Sequence, residues 1–336
     1  MLLRLGFSLS LFLFLIANVH SKTNKIHYDK IDIPGAVCGS GLQYHIFVNK
    51  DSKQDDGLLL YLESGGACWS WDTCWGPNFR AWIHPLPFPR LRLTKFKKKD
   101  IFKDHTSVIF PYCTGDIFGA NYKSSYKVNH VGKKNLRLAI KYLIDQEIIK
   151  PAQFEKLIVS GSSAGAIGAL INANMFEKNF PRVWKKTLIM DSPGFHWGEN
   201  FWNKFAPPMM QQFQDSTAHI LQDITEHGGM VIRHLPEICQ HFGDWNVGIM
   251  QSTKDVVMSG IFGNISPKKH KQYVYGPEGV YQQTLSINNC SAWSPDSYGH
   301  AYLQLDPLTV VKAGDVNSID FVDLLLNGKT LKSYRD

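Results

Sequence analysis

Short apolar runs alternate along this chain with segments whose apolar positions recur at helical spacing. "LQYHIFVN", around residues 43–49, reads as a strand. "GLLLYLESGG" is a continuous apolar run ending in glycines, the pattern of a parallel strand buried on both faces. "TSVIFPYC", "KLIVSG", "KKTLIMDSPG" and "WNVGIMQST" read the same way, each closing on polar or turn residues. "KKNLRLAIKYLIDQEII" instead places Leu136, Ile140, Leu143 and Ile144 on one helix face. A small-residue helix is expected from about Ser163 to Phe176. The stretch 195–245 is helical in tendency but broken by Pro207-Pro208 and Gly228-Gly229, which suits a lid or a pocket wall.

Strands alternating with helices predict an α/β protein, a mainly parallel sheet with helices on both faces. Ligands of such sheets bind beyond the carboxyl ends of the strands. The ends after Leu62, Phe110, Val159 and Ser252 are therefore the places to look for chemistry.

At one of those ends stands "VSGSSAGA". Glycine on either side of Ser163, after a strand and before a helix, is the arrangement that holds a serine Oγ clear of a sheet for nucleophilic attack. The same glycines would also serve a plain tight turn. A serine nucleophile needs a histidine base and a carboxylate to orient it, in the chain order Ser, Asp or Glu, His. His300, in "SPDSYGHAYLQ", is the last histidine and sits at a loop-to-helix boundary. For the acid, Asp255 follows the run "GIMQST". Asp191 competes, since it also ends a strand, but Ser192-Pro193-Gly194 follows at once and suits an aspartate bonding its own turn. The backbone at Gly65-Gly66-Ala67 and the N–H of Ala164 would supply donors for a tetrahedral oxyanion.

Composition narrows the setting. The chain has 336 residues, 44% hydrophobic, which is ample for a large core. Residues 1–21 carry one positive charge, Arg4, then an apolar run, and read as a secretory signal peptide cleaved after Ser21. An uncleaved anchor is the alternative. Residues 22–336 show no linker and read as one catalytic domain, secreted or periplasmic, and a monomer. Six cysteines in an exported chain favour disulfides, with the pairing left open. With no C-x-x-C or H-E-x-x-H spacing, neither a metal nor another cofactor is expected. The net charge of +7 concentrates in "RLRLTKFKKKDIFK", 90–103. That segment suits a solvated face, or a patch weakly attracting acidic polymers or anionic membrane. Charge alone would admit nucleic acid, but no nucleic-acid-binding motif accompanies it and none is expected as a partner. Two N-x-S sequons occur, at Asn264 and Asn289, the second containing Cys290.

The runs "LYLESGGACW", "PYCTGDIFGAN", "VSGSSAGAIGAL", "QSTKDVVMSGIFG" and "GHAYLQ" together resemble the pectin acetylesterase-like proteins, the pectinacetylesterase/Notum family of α/β-hydrolases, in a bacterial-type member. The resemblance spans about residues 30 to 330. It implies an α/β-hydrolase fold, a triad of Ser163, Asp255 and His300, and oxyanion donors at Gly66, Ala67 and Ala164. It places Trp69 and Asp116 near the pocket. Ser64 departs from the family, where glycine is frequent. The activity it implies is hydrolysis of O-acyl esters, acetyl first, on a polysaccharide such as pectin. A Notum-like esterase for a longer fatty acyl chain is the alternative, and an exported binding protein without turnover is a second.

Overall fold

The computed structural model describes residues 27–49, 56–76, 81–90, 102, 105–197, 201–304, 310–327 and 331–336. The expected signal peptide, and all of the basic segment except Arg90 and Phe102, lie outside the described residues. In chain order the strands are β1 (Asp29–Val37), β2 (Gln43–Asn49), β3 (Gly57–Leu62), β4 (Thr106–Phe110), β5 (Tyr122–Lys123), β6 (Asn129–His130), β7 (Lys156–Ser162), β8 (Lys185–Asp191), β9 (Asn246–Met250), β10 (Cys290–Ser294), β11 (Lys312–Ala313), β12 (Val316–Asn317) and β13 (Tyr334–Arg335). The helices are α1 (Trp71–Trp75), α2 (Gly132–Asp145), α3 (Ala164–Glu177), α4 (Pro207–Thr217), α5 (Leu235–His241), α6 (Pro267–Val274), α7 (Val280–Thr284) and α8 (Ser318–Asn327).

Nine strands make one sheet in the order β1-β2-β4-β3-β7-β8-β9-β10-β13. The β1–β2 and β2–β4 pairs are antiparallel. From β4 to β13 every neighbouring pair is parallel. The remaining strands form two short ribbons, β5-β6 and β11-β12.

The continuous apolar runs are explained by two cores. Leu58, Leu60 and Leu62 of β3 face one way, packing with Leu136, Ala139, Ile140 and Leu143 of α2 and with α3. Leu59 and Tyr61 face the other way, toward Ile319, Phe321, Val322 and Leu325 of α8. A strand with both faces covered cannot alternate apolar with polar residues. Each fully buried side chain of this kind contributes roughly 1.5–3 kcal/mol of transfer free energy. Helix α3 is buried on every side from Ala164 to Ala173, which is why its sequence is small and apolar throughout.

Strand β7 continues to Ser162, three residues past the end expected at Val159, and β9 stops at Met250 rather than Ser252. The stretch 195–245 resolves into α4, α5 and 3-10 turns. Among the described residues no helix is long and apolar enough to cross a membrane.

All six cysteines pair: Cys38–Cys113, Cys68–Cys74 and Cys239–Cys290. The bridges fit an oxidising compartment. The sequon residue Asn289 donates its amide to the carbonyls of Cys239 and Phe242, and the Cys290 beside it is bridged, so this sequon is built into the fold.

Candidate active site

The strand order reverses at β3: the chain leaves β3 for β4 on one side and returns to β7 on the other. At such a switch point the loops beyond neighbouring strand ends part and leave a crevice. Leu62 at the end of β3 pairs with Gly161 on β7. The Gly65-Gly66-Ala67 loop and Ser163 therefore leave the sheet side by side.

Ser163 sits at the turn between β7 and α3 with φ 55° and ψ −120°. A non-glycine residue held there costs about 1–3 kcal/mol, and the neighbours must impose it. They do so by close approach. A Cβ on Gly161 would overlap the carbonyl of Gly165, and one on Gly165 would overlap the carbonyl of Leu62. The Ser163 N–H is held by the Asp191 carbonyl at 2.7 Å. Ala164 occupies the first position of α3, where an N–H has no intrahelical acceptor.

The loop after β3 is fixed without spending the N–H groups of Gly66 and Ala67. Trp82 N–H donates to the Gly65 carbonyl at 2.8 Å, and Cys68 N–H to the Gly115 carbonyl at 2.9 Å. Gly66 has φ 77°, which suits a residue without a Cβ. The Cys68–Cys74 bridge closes the far side. Ser64 N–H donates to Gln304 Oε1 at 3.1 Å, linking this loop to the chain just after His300.

Asp255 and His300 come together. His300 Nδ1 lies 2.8 Å from Asp255 Oδ2. The same oxygen accepts from Gln251 Nε2 at 3.2 Å, and Oδ1 accepts from the N–H groups of Val257 and Met258 at 3.0 and 2.9 Å. A carboxylate with four donors has one orientation open to it. Those two backbone donors open a π-helical turn, Val257–Phe262, whose wider winding is frequent at functional sites. With Nδ1 engaged, Nε2 of His300 is the nitrogen available to take a proton. Burial pulls the His300 imidazolium down. The charge and hydrogen bond of Asp255, with Asp191 behind them, outweigh burial and leave it above the ordinary histidine range.

Asp191, the competitor for the acid role, has a different place. Its Oδ2 accepts from Ser162 Oγ at 2.6 Å and from Leu303 N–H at 2.7 Å. Its Oδ1 accepts from Ser192 Oγ at 3.1 Å, and Ser192 Oγ accepts in turn from Ala301 N–H at 3.0 Å. Asp191 thus ties the strand carrying Ser163 to the loop carrying His300. Ser162 is more than the variable residue of its motif: its one proton goes to Asp191, so Tyr61 OH donates to it at 2.7 Å. Burial pushes the Asp191 carboxyl up, against these hydrogen bonds.

Asp116 is fully buried and accepts from Thr114 Oγ1 and from the N–H groups of Phe118, Ala120 and Gly132. Burial pushes its carboxyl up to about 6, against those donors. It shapes the loop bridged to Ala67. Trp69 packs edge-on to Phe205 and Phe262, with Lys204 Nζ 5.2 Å above its ring. Arg90, the first residue of the basic segment, is not a free patch residue. Its Nε lies 3.1 Å from the buried Glu63, and its guanidinium also reaches the Ser64 carbonyl.

Residues 19–215 match the family model described as Pectinacetylesterase, more than half of the chain, and the chain belongs to this family of carboxylic ester hydrolases. The matched stretch carries Ser163 and the Gly66-Ala67 loop and ends before Asp255 and His300. Over 157 residues the chain is 26% identical to palmitoleoyl-protein carboxylesterase notum2 of Xenopus laevis, covering 44% of this chain and 31% of that protein. Over 160 residues it is 26% identical to the palmitoleoyl-protein carboxylesterase NOTUM of Homo sapiens, covering 43% and 30%. These matches span about a third of the length of those relatives. The solved structure of the Wnt deacylase Notum from Drosophila matches with a TM-score of 0.60 over 89% of this chain and 92% of that one, at 14% identity. That likeness is one of fold, and the fold is that of an α/β-hydrolase.

Proposed function

We propose that this chain is an exported serine carboxylesterase that removes acyl groups, acetyl first among them, from hydroxyls of a carbohydrate polymer such as pectin. The observation that carries the reading is the Asp255–His300 pair at 2.8 Å, in a loop tied through Asp191 to the strand end that bears Ser163. In this reading His300 Nε2 takes the Ser163 proton as Oγ attacks the ester carbonyl. Asp255 holds the ring and stabilises the imidazolium. The N–H groups of Gly66, Ala67 and Ala164 receive the oxyanion. His300 then protonates the leaving hydroxyl, and a water activated by the same nitrogen releases the acid. The three disulfides support export.

The aromatic residues of 195–245 favour a short acyl group. Phe201 and Phe205 lie 5.4 Å apart, Phe205 and Phe213 5.2 Å, and Trp197 stacks on Phe201 at 4.0 Å. Rings packed on one another fill space that a long chain would need. A second reading, a longer acyl substrate, draws on relatives that are palmitoleoyl-protein carboxylesterases. Hydrolysis of p-nitrophenyl esters from acetate to palmitate, by the wild type and Ser163→Ala, tests both. A peak at acetate that the variant lacks supports the main reading. A peak at long chains selects the second, and equal rates for the two proteins would overturn the site.

A further inference from the structure

Away from the crevice, a 3-10 turn at Glu226–Gly229 brings three metal-ligating side chains together. One ligand atom each from Glu226, His227 and His234 lies within 4.8 Å of the others. The rings of His227 and His234 are 4.9 Å apart. His227 is held at φ 54° and ψ 34°, a left-handed conformation that reverses the chain toward His234. A comparable group, Cys68, Cys74 and His130, offers no thiolate because its cysteines are bridged.

The three side chains are not equivalent. Glu226 and His227 are exposed, whereas His234 is 1% exposed. His234 Nδ1 faces the Glu237 carboxylate at 3.3 Å. Its Nε2 is buried and has no hydrogen-bond partner among the described residues. A buried imidazole nitrogen left unpaired is costly, and a bound ion would relieve that cost. A histidine whose Nδ1 faces a carboxylate and whose Nε2 is left free has the arrangement found behind metal-bound imidazoles.

We propose that Glu226, His227 and His234 bind a divalent transition-metal ion, zinc being the chemistry that two imidazoles and a carboxylate fit. Ligands around a tetrahedral zinc lie about 3.4 Å apart. The buried His234 stays in place, and the exposed Glu226 and His227 side chains rotate inward to close the set. Water completes the fourth position. The cation near this turn is already engaged: Arg233 pairs with Glu278 at 2.9 Å and holds the His227 carbonyl at 3.1 Å. The bound ion clamps the turn whose Gly229 carbonyl accepts from Trp202 Nε1 at 2.8 Å, and so braces the Phe201, Trp202 and Phe205 cluster.

The test is a zinc titration of the full chain, made without a polyhistidine tag, stripped with chelator and read against a chromogenic indicator. One equivalent should bind, and the melting temperature should rise with it. His227→Ala and Glu226→Gln alter exposed side chains, so both should keep the wild-type circular dichroism, weaken binding at least about tenfold and lose the melting shift. Glu237→Gln should weaken binding by about 10–100-fold. Folded wild-type protein that binds no stoichiometric zinc, or variants at 226 and 227 that bind it as tightly as wild type, would overturn the site.

Discussion

Ser162 Oγ donates to Asp191 Oδ2 at 2.6 Å, and the same oxygen holds the N–H of Leu303, three residues past His300. Two halves of the candidate site that are far apart in sequence thus hang on one carboxylate. Asp191→Ala leaves the Ser162 hydroxyl and the Leu303 N–H buried without an acceptor, at about 1–3 kcal/mol each. Denaturant unfolding should show that loss. Steady-state kinetics should show kcat falling more than KM rises, because the histidine loop shifts while the crevice remains. Asp191→Asn keeps an acceptor oxygen and should recover much of both. An alanine variant with wild-type kcat would remove Asp191 from any positioning role.

The proposed roles of the triad carry their own magnitudes. Ser163→Ala should lower kcat by several orders of magnitude, and Asp255→Asn by about 10⁴-fold, while circular dichroism stays that of the wild type. Ester hydrolysis by each variant, with thermal melts beside it, makes the check. A modest loss in Asp255→Asn would mean another group orients His300.

The pH profile has a definite sign. In the proposed mechanism His300 must be neutral at Nε2 to accept the Ser163 proton, and, against the pull of burial, its pKa is raised above the ordinary histidine value of about 6.5 by Asp255. Activity should therefore be full at alkaline pH and fall as pH drops through that raised value, with the midpoint of kcat/KM above 6.5. Removing the Asp255 charge leaves burial as the larger influence. The residual activity of Asp255→Asn should accordingly persist to lower pH. An unmoved midpoint would show that the group titrating is not His300.

Arg90 gives the stability prediction. Glu63 is buried, and burial raises its pKa, with Arg90 opposing that rise by charge and hydrogen bonds. Arg90→Ala should destabilise the fold by up to about 3–5 kcal/mol, because it removes the only charge the structure pairs with the buried Glu63 among the described residues and leaves the carboxyl with the backbone N–H of residue 90. Urea unfolding of the variant reads this directly. A change under 1 kcal/mol would mean that Glu63 finds another partner or takes up a proton at little cost.

Much of the sheet was legible because strands buried on both faces cannot hide their character: β3, β4, β7, β8 and β9 are each one apolar run. β10, "CSAWS", was not, since serine and cysteine break its run and a disulfide and cross-strand neighbours hold it in place. The strand–turn–helix around Ser163 was readable from its glycines, since close backbone approach admits nothing larger. The meeting of Asp255 with His300 is a tertiary fact, foreseen only through chain order and resemblance. From sequence, Asp191 reads as an aspartate bonding its own turn. It does bond the neighbouring Ser192, but its stronger partners are Ser162 and Leu303, and no local pattern announces those. Arg90 likewise looked like one charge in a basic run, and only the fold shows that it turns inward to Glu63. The Glu226, His227 and His234 group follows no compact metal-binding spacing, because a left-handed turn rather than a regular helix brings its members together.

The ties through Asp191 have a consequence for how the protein comes to life. Ser163, Asp255 and His300 are separated by long stretches of chain, and the loop bearing His300 is held on Asp191 and Ser192 at the end of β8. Contacts so distant in sequence form late and slowly. If the proposed triad is the active site, a refolding chain should recover most of its secondary structure before it recovers ester hydrolysis. Recovered catalysis is therefore a stricter reporter of native structure than any spectroscopic signal. A chain cut short before residue 300 would lose α8 as well as His300, and with it the cover of one face of the sheet.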